Sequence, residues 1–230
     1  MNWFGYNSDV LYLEKNNHKI VLIGTVHLSP DREYYKNIST LNEIYKLEDY
    51  QLYYEMVKDN PNASQDTHKT KQALSETFSF LSSKAKLKNQ HDYLYYNVED
   101  KNADIDFLQL EKLGGIKEIK NFTGLNEYLS IVNINNQETK ETTLNTIFDN
   151  VLMYYFRASI IGGLHFNDLF DYNKNKLKVI LNERNKVLVN SIDYEKNAVV
   201  NYGNAHLSGI IELLEAKGYK ITSEYKLKAF

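Results

Sequence analysis

The alternation of apolar and polar positions divides the chain into strand-like runs near both ends and helix-like repeats between them. Residues 6–13 read as a first strand closed by an Asn16-Asn17 turn. Residues 20–23 form a continuous apolar run, as expected of a strand covered on both faces. Tyr34, Tyr35, Ile38, Leu41, Ile44 and Tyr45 then recur at helical spacing, with Ser29 and Pro30 fitting the N-cap and first helical position. Residues 52–57 predict the next strand, with Glu55 inside it, and residues 65–87 a mostly polar helix suited to a periphery or a lid. Residues 93–98 predict a short strand. Helical patterns follow from Ala103 to a stop at Gly114-Gly115, over 116–130, and over the apolar stretch 143–170, which Gly162-Gly163 interrupts. An amphipathic helix over 177–192, a strand over 199–202, a helix over 209–216 and a strand over 219–228 complete the chain.

Strands alternating with helices predict an α/β fold, with a mixed or mainly parallel sheet flanked by helices and a helix-rich middle. No low-complexity linker or charge block suggests a boundary, so 1–230 reads as a single domain. Two places share one grammar. Gly24-Thr25-Val26-His27-Leu28-Ser29 and Gly203-Asn204-Ala205-His206-Leu207-Ser208 each follow an apolar run, giving two strand-Gly-x-x-His-helix units. In the second, Gly203 is read as supplying unusual backbone angles and Ser208 as capping the next helix. If the two strands are parallel neighbours, both histidines lie at the carboxyl edge of the sheet, where open α/β folds bind ligands.

Composition narrows the classes. A formal net charge of −3 offers no electrostatic case for nucleic acid. With no cysteine, disulfides and thiolate metal sites are excluded. The first residues have neither a basic nor an apolar signal region, and no apolar run is long enough to span a bilayer. The expectation is a cytoplasmic protein.

Six histidines are present, and they differ in context. His18 lies in a polar turn, His68 in a polar helix, and His165 after a break in an apolar helix, where a structural role is expected. His91 is undecided, as are Asp104, Asp106 and Glu183. His27 and His206 are either two satisfied core or cap histidines or members of one shared site. Glu55 lies either on an exposed edge face or buried beside a compensating cation. Arg184 falls in the middle of the stripe formed by Leu177, Ile180, Leu181, Val187, Leu188 and Ile192. A guanidinium there must reach solvent or find a carboxylate, carbonyls or an anionic ligand, and Glu55 is the preferred partner.

Together these residues resemble the TraB/TIKI-like superfamily, which includes GumN-type, ChaN-type and erythromycin-esterase-like proteins. The resemblance rests on Gly24-Thr25-Val26-His27, Tyr54-Glu55, Glu183-Arg184-Asn185 and Gly203-Asn204-Ala205-His206-Leu207-Ser208-Gly209-Ile210, in order along the chain. Asn102-Ala103-Asp104-Ile105-Asp106 is similar to a further segment of the family. The resemblance implies a metal-dependent hydrolase of peptidase type, with His27, Glu55 and His206 as metal ligands and Arg184 orienting Glu55 or stabilising an oxyanion. The ion is expected to be Mn, Co or Zn, and the substrate a peptide or small molecule. The family also allows a metal-independent esterase-like hydrolase, or a haem- or peptide-binding module without turnover.

Overall fold

The computed structural model describes residues 7–123, 141–146 and 177–229. Its centre is a six-stranded sheet built from β1 (Asn7–Lys15), β2 (His18–Thr25), β4 (Gln51–Tyr54), β6 (Lys101–Asn102), β7 (Ala198–Gly203) and β8 (Lys220–Lys228), in the order β6-β4-β7-β2-β1-β8. β2, β7, β4 and β6 run parallel, and β1 is antiparallel to both β2 and β8. A two-residue strand β3 (Leu28–Ser29) pairs separately with β5 (Lys88–Asn89).

Period-two alternation assigns the faces. Val10, Val21, Ile23, Leu52 and Val199 pack with Tyr34, Tyr35 and Ile38 of α1 (Arg32–Leu47). Leu11, Leu13, Ile20, Leu22, Tyr53 and Val200 point the other way. They meet Leu188 and Val189 of α5 (Arg184–Ser191), and Leu207, Ile210 and Leu214 of α6 (Leu207–Ala216). Both faces are covered, so the central strands are largely apolar on both sides, Thr25 and Asn201 excepted, and their alternation is hidden in the sequence. α2 (Gln65–Ala85), α3 (Phe107–Lys112) and α4 (Gly115–Thr123) lie between β4 and α5 in the chain.

The architecture is the α/β arrangement the pattern predicts, and the two Gly-x-x-His strands are parallel neighbours, with Thr25 opposite Gly203. Several local expectations are corrected. Residues 93–98 are not a strand: Tyr93 stacks on Tyr35, Tyr96 stacks on Tyr54 with ring centroids 3.9 Å apart, and Leu94 enters the α1-side core. Leu94 is buried and Tyr93 and Tyr96 are partly buried without a ladder, and Lys101–Asn102 pairs with β4 instead. Asp31, not Ser29, caps α1 by accepting the Glu33 N–H, while Ser29 Oγ donates to the carbonyl of Ala229. Ser208 does not cap α6, which follows a 3₁₀ turn over Asn204–His206 and starts without a side-chain cap. The helix foreseen over 177–192 opens as a π-turn, Lys178–Glu183, before becoming α5. His165, the Gly162-Gly163 break and most of the 143–170 pattern lie outside the described residues. No helix among the described residues is long and apolar enough to cross a membrane.

Candidate functional site

The carboxyl ends of β4, β7 and β2 lie side by side, and the chemistry-bearing residues gather there. Glu55 is the first residue past β4, and its N–H continues the ladder by donating to Asn201 O at 3.1 Å. Its carboxylate is 8% exposed as a residue, which removes the solvated edge-face alternative. Oε2 accepts the backbone N–H of Gly203, and Oε1 accepts Arg184 Nη2 at 2.6 Å.

Gly203 owes its identity to this contact and not to unusual backbone angles, since its φ is −51°. A Cβ there would stand 2.8 Å from Glu55 Oε2. Gly24 is required for the same kind of reason: a Cβ would sit 2.2 Å from Asn204 Oδ1 and 2.8 Å from Leu207 Cδ1. The first glycine therefore admits the turn of the second motif, and the second glycine admits Glu55.

Arg184 enters from the first residue of α5, at the junction with the π-turn. Such turns shift the side-chain register by widening the helix, and they recur at functional sites. Here Glu118 of α4 fixes the turn, accepting the N–H of Val179 and of Ile180 at 2.9 and 3.0 Å. The change of winding buries Val179, Arg184, Asn185 and Val189, while Ile180 and Val187 are only partly buried. Arg184 meets two carboxyl groups. Nε and Nη2 donate to Asp104 Oδ1 and Oδ2 at 2.8 and 2.5 Å, a two-pronged contact, while Nη2 also serves Glu55. Asp104 follows β6, where Ala103 N–H bonds Tyr54 O and prolongs the ladder to the site.

His206 ends the 3₁₀ turn after β7. Its Nδ1 lies 2.6 Å from Asn185 Oδ1, and Asn185 Nδ2 donates to the His206 carbonyl at 3.4 Å. That second bond orients the amide, so Asn185 Oδ1 accepts an Nδ1–H and Nε2 is left with its lone pair. Nε2 lies 3.5 Å from Glu55 Oε1. His27 is half-buried, its ring edge-on to Phe78 of α2 with centroids 5.8 Å apart, and its ring nitrogens bond to no described residue.

Electrostatics follow from this packing. Burial alone would push the Glu55 carboxyl up, but Arg184, then the neighbouring imidazoles and the Gly203 N–H, hold it well below the usual carboxylate range. Burial pushes His206 down to about 3, with Arg184 and His27 adding to the effect against the pull of Glu55. Burial also lowers His27, again opposed by Glu55. Burial works against the charge on Arg184, but Glu55 and Asp104 outweigh it and keep the guanidinium protonated. At neutral pH the site therefore holds an anchored carboxylate, a guanidinium and two neutral imidazoles.

The structure brings Glu55, Arg184 and His206 into contact and sets His27 within their electrostatic reach. No group of three His, Asp or Glu side chains among the described residues is arranged to hold a metal ion. Of the undecided residues, Asp104 belongs to the site. Asp106 closes a capping box on α3, Glu183 pairs with Lys186 at the surface, and His91 is exposed. Sequence reasoning left Asp104 without a role and passed over Asn185, although Asn185 stands beside Arg184 in the Glu-Arg-Asn motif. Comparison with protein-family models, curated proteins and solved structures finds no significant match, so what this site does must be argued from its own geometry.

Proposed function

We propose that this chain is a metal-dependent hydrolase of the TraB/TIKI-like kind, acting on the carbonyl of a peptide or small-molecule substrate. The observation that carries the reading is the 3.5 Å between His206 Nε2 and Glu55 Oε1. Both atoms are acceptors, one a lone pair and the other an ionised oxygen, so they repel unless something electrophilic lies between them. A water donating to both would hold them about 4.5 Å apart at ordinary hydrogen-bond lengths. Two ligands on one tetrahedral ion, at the bond lengths usual for nitrogen and oxygen, stand about 3.3–3.6 Å apart. Two carboxyl groups sharing one guanidinium also favour a further cation.

In this reading His206 and Glu55 hold a Mn, Co or Zn ion, and His27 is the nearest further imidazole. Bound there, such an ion acidifies a water and polarises a carbonyl. The chain's own residues supply the rest. Asn185 fixes the tautomer and aim of His206, as partners of ligating histidines do. Arg184 and the Gly203 N–H hold the Glu55 carboxylate in place. Arg184 Nη1 engages no acceptor among the described residues, so it can face negative charge developing on the substrate oxygen. His27, whose ring nitrogens bond to no described residue, can move the proton.

A metal-independent hydrolase using His206 as the base is the competing reading. An imidazole pushed down to about 3 is a weak base at neutral pH, which favours the ligand role. The test is elemental analysis of protein purified without an affinity metal column, with hydrolysis of peptide and ester panels before and after chelation. Bound divalent ion, loss of turnover on chelation and its return with Mn, Co or Zn are expected. His206→Ala and Glu55→Gln should abolish turnover. Hydrolysis that survives complete chelation overturns the metal reading.

A further inference from the structure

At the opposite edge of the sheet, where β2 begins, three stretches of chain line an open cleft of about 450 Å³. Lys15, Asn16 and His18 come from the β1–β2 hairpin, Tyr194 from the segment before β7, and Lys217 and Tyr219 from the passage between α6 and β8. Pockets for small ligands run from about 300 to 1,000 Å³, and this cleft falls within that range. β2 is eight residues long, so about 23 Å of strand separates the cleft from the Glu55 site.

Two tight turns build the rim. The hairpin passes through left-handed Asn16 and Asn17, at φ 48° and 68°, and the chain leaves α6 through Gly218 at φ 91°. Lys15 thereby reaches Lys217, whose carbonyl accepts its ammonium at 2.6 Å. The walls are aromatic. The His18 ring lies 5.6 Å from the Tyr219 ring and 5.9 Å from the Tyr194 ring, centroid to centroid. Their polar atoms are already engaged with the protein. His18 Nε2 donates to the carbonyl of Lys196, so Nδ1 accepts the Tyr219 O–H at 2.6 Å, and the Tyr194 O–H donates to Val189 O at 2.6 Å. These three residues therefore offer the cleft ring surface.

The free donors belong to the rim. The Lys15 and Lys217 ammoniums stand over the cleft's own rings, 6.0 Å from the Tyr219 centroid and 5.0 Å from the Tyr194 centroid. Lys15 keeps two N–H groups beyond its one bond, and the Lys217 ammonium and the Asn16 amide bond to no described acceptor. No carboxylate lines the cleft. We propose that it is a second binding site, for a phosphate monoester of an aromatic group, such as a nucleoside monophosphate. Two ammoniums match the charge of nearly −2 on a phosphate monoester better than the single charge of a carboxylate. A flat ring has the Tyr194 and His18 rings to pack against. The inference is independent of what the Glu55 site does.

The test is isothermal titration of the full chain with AMP, phenyl phosphate, benzoate and inorganic phosphate. Low ionic strength is used, where exposed ammoniums are least screened. AMP or phenyl phosphate should bind at least about tenfold more tightly than benzoate, which carries one charge, and than phosphate, which has no ring. AMP ahead of phenyl phosphate identifies a nucleotide, and the reverse order a smaller aromatic ester. Lys15→Met combined with Lys217→Met should weaken the preferred probe at least about tenfold, whereas His206→Gln at the far edge should not. Tyr194→Leu should weaken the aromatic esters and leave phosphate unchanged. Binding by none of the probes overturns the site, as does binding that the double lysine variant leaves intact. In that variant, a lower thermal midpoint with undiminished binding would show the lysines to be only a cap on α6. Phosphate binding as tightly as the esters would show an adventitious ion only, and a loss of binding in His206→Gln would place the probe at the other edge.

Discussion

Removing Arg184 should be among the most damaging single changes in this protein. The residue is 7% exposed, and its guanidinium makes three charge-assisted contacts with Glu55 and Asp104. Arg184→Ala leaves two carboxyl groups buried without their cation, and breaking such a pair typically costs about 3–5 kcal/mol. Total stabilities of domains run to about 5–15 kcal/mol, so this is a large fraction. In a urea titration, with a slope of about 2 kcal/mol/M, the midpoint should fall by about 1.5–2.5 M. Arg184→Lys should recover little, because an ammonium cannot span Asp104 with two parallel bonds while also serving Glu55. The control is a cycle. In a Glu55→Gln, Asp104→Asn background, Arg184→Met should cost much less, because the charges it would strand are gone. A midpoint for Arg184→Ala within the range of surface substitutions, about 0.5 kcal/mol, would show the guanidinium to be solvated and refute the reasoning.

Two further predictions follow from the same geometry. The folded pKa of His206 lies below its unfolded value, so the unfolded chain takes up the proton first. Stability should therefore fall as pH drops below about 6.5, by up to about 1.4 kcal/mol per unit until the folded value of about 3 is reached. His27 adds in the same direction. The depressed Glu55 carboxyl contributes stability above about pH 4.5 and loses it as pH falls towards its folded value. His206→Gln should flatten the limb between pH 6.5 and 4.5 in pH-dependent urea melts, and an unchanged slope there would count against a buried neutral imidazole. Gly24→Ala and Gly203→Ala should each cost about 1–3 kcal/mol by overpacking. Gly203→Ala should also reduce turnover by displacing Glu55, and full stability and activity in that variant would disprove the contact.

The largely apolar runs at 20–23 and 199–202 are enough to predict two buried strands, because a strand covered on both faces is apolar at most positions, with Asn201 as the buried polar exception. The apolar stripe of 177–192 likewise placed Arg184 on an inward face, where burial of its charge requires a carboxylate. Such inferences are local: they depend on spacing along one element and on the penalty for burying a charge. What spacing could not reveal was decided across the sheet. The choice of Asp104 as the second partner of Arg184 depends on β6 pairing beside β4, which brings positions 104 and 184 together over eighty residues of chain. The π-turn that aims Arg184 depends on Glu118 accepting its free N–H groups, a contact no helical wheel contains. Gly24 and Gly203 look like twin turn glycines in the sequence. Only the packed structure shows that each is small because a side chain from elsewhere, Asn204 or Glu55, occupies the space a Cβ would need.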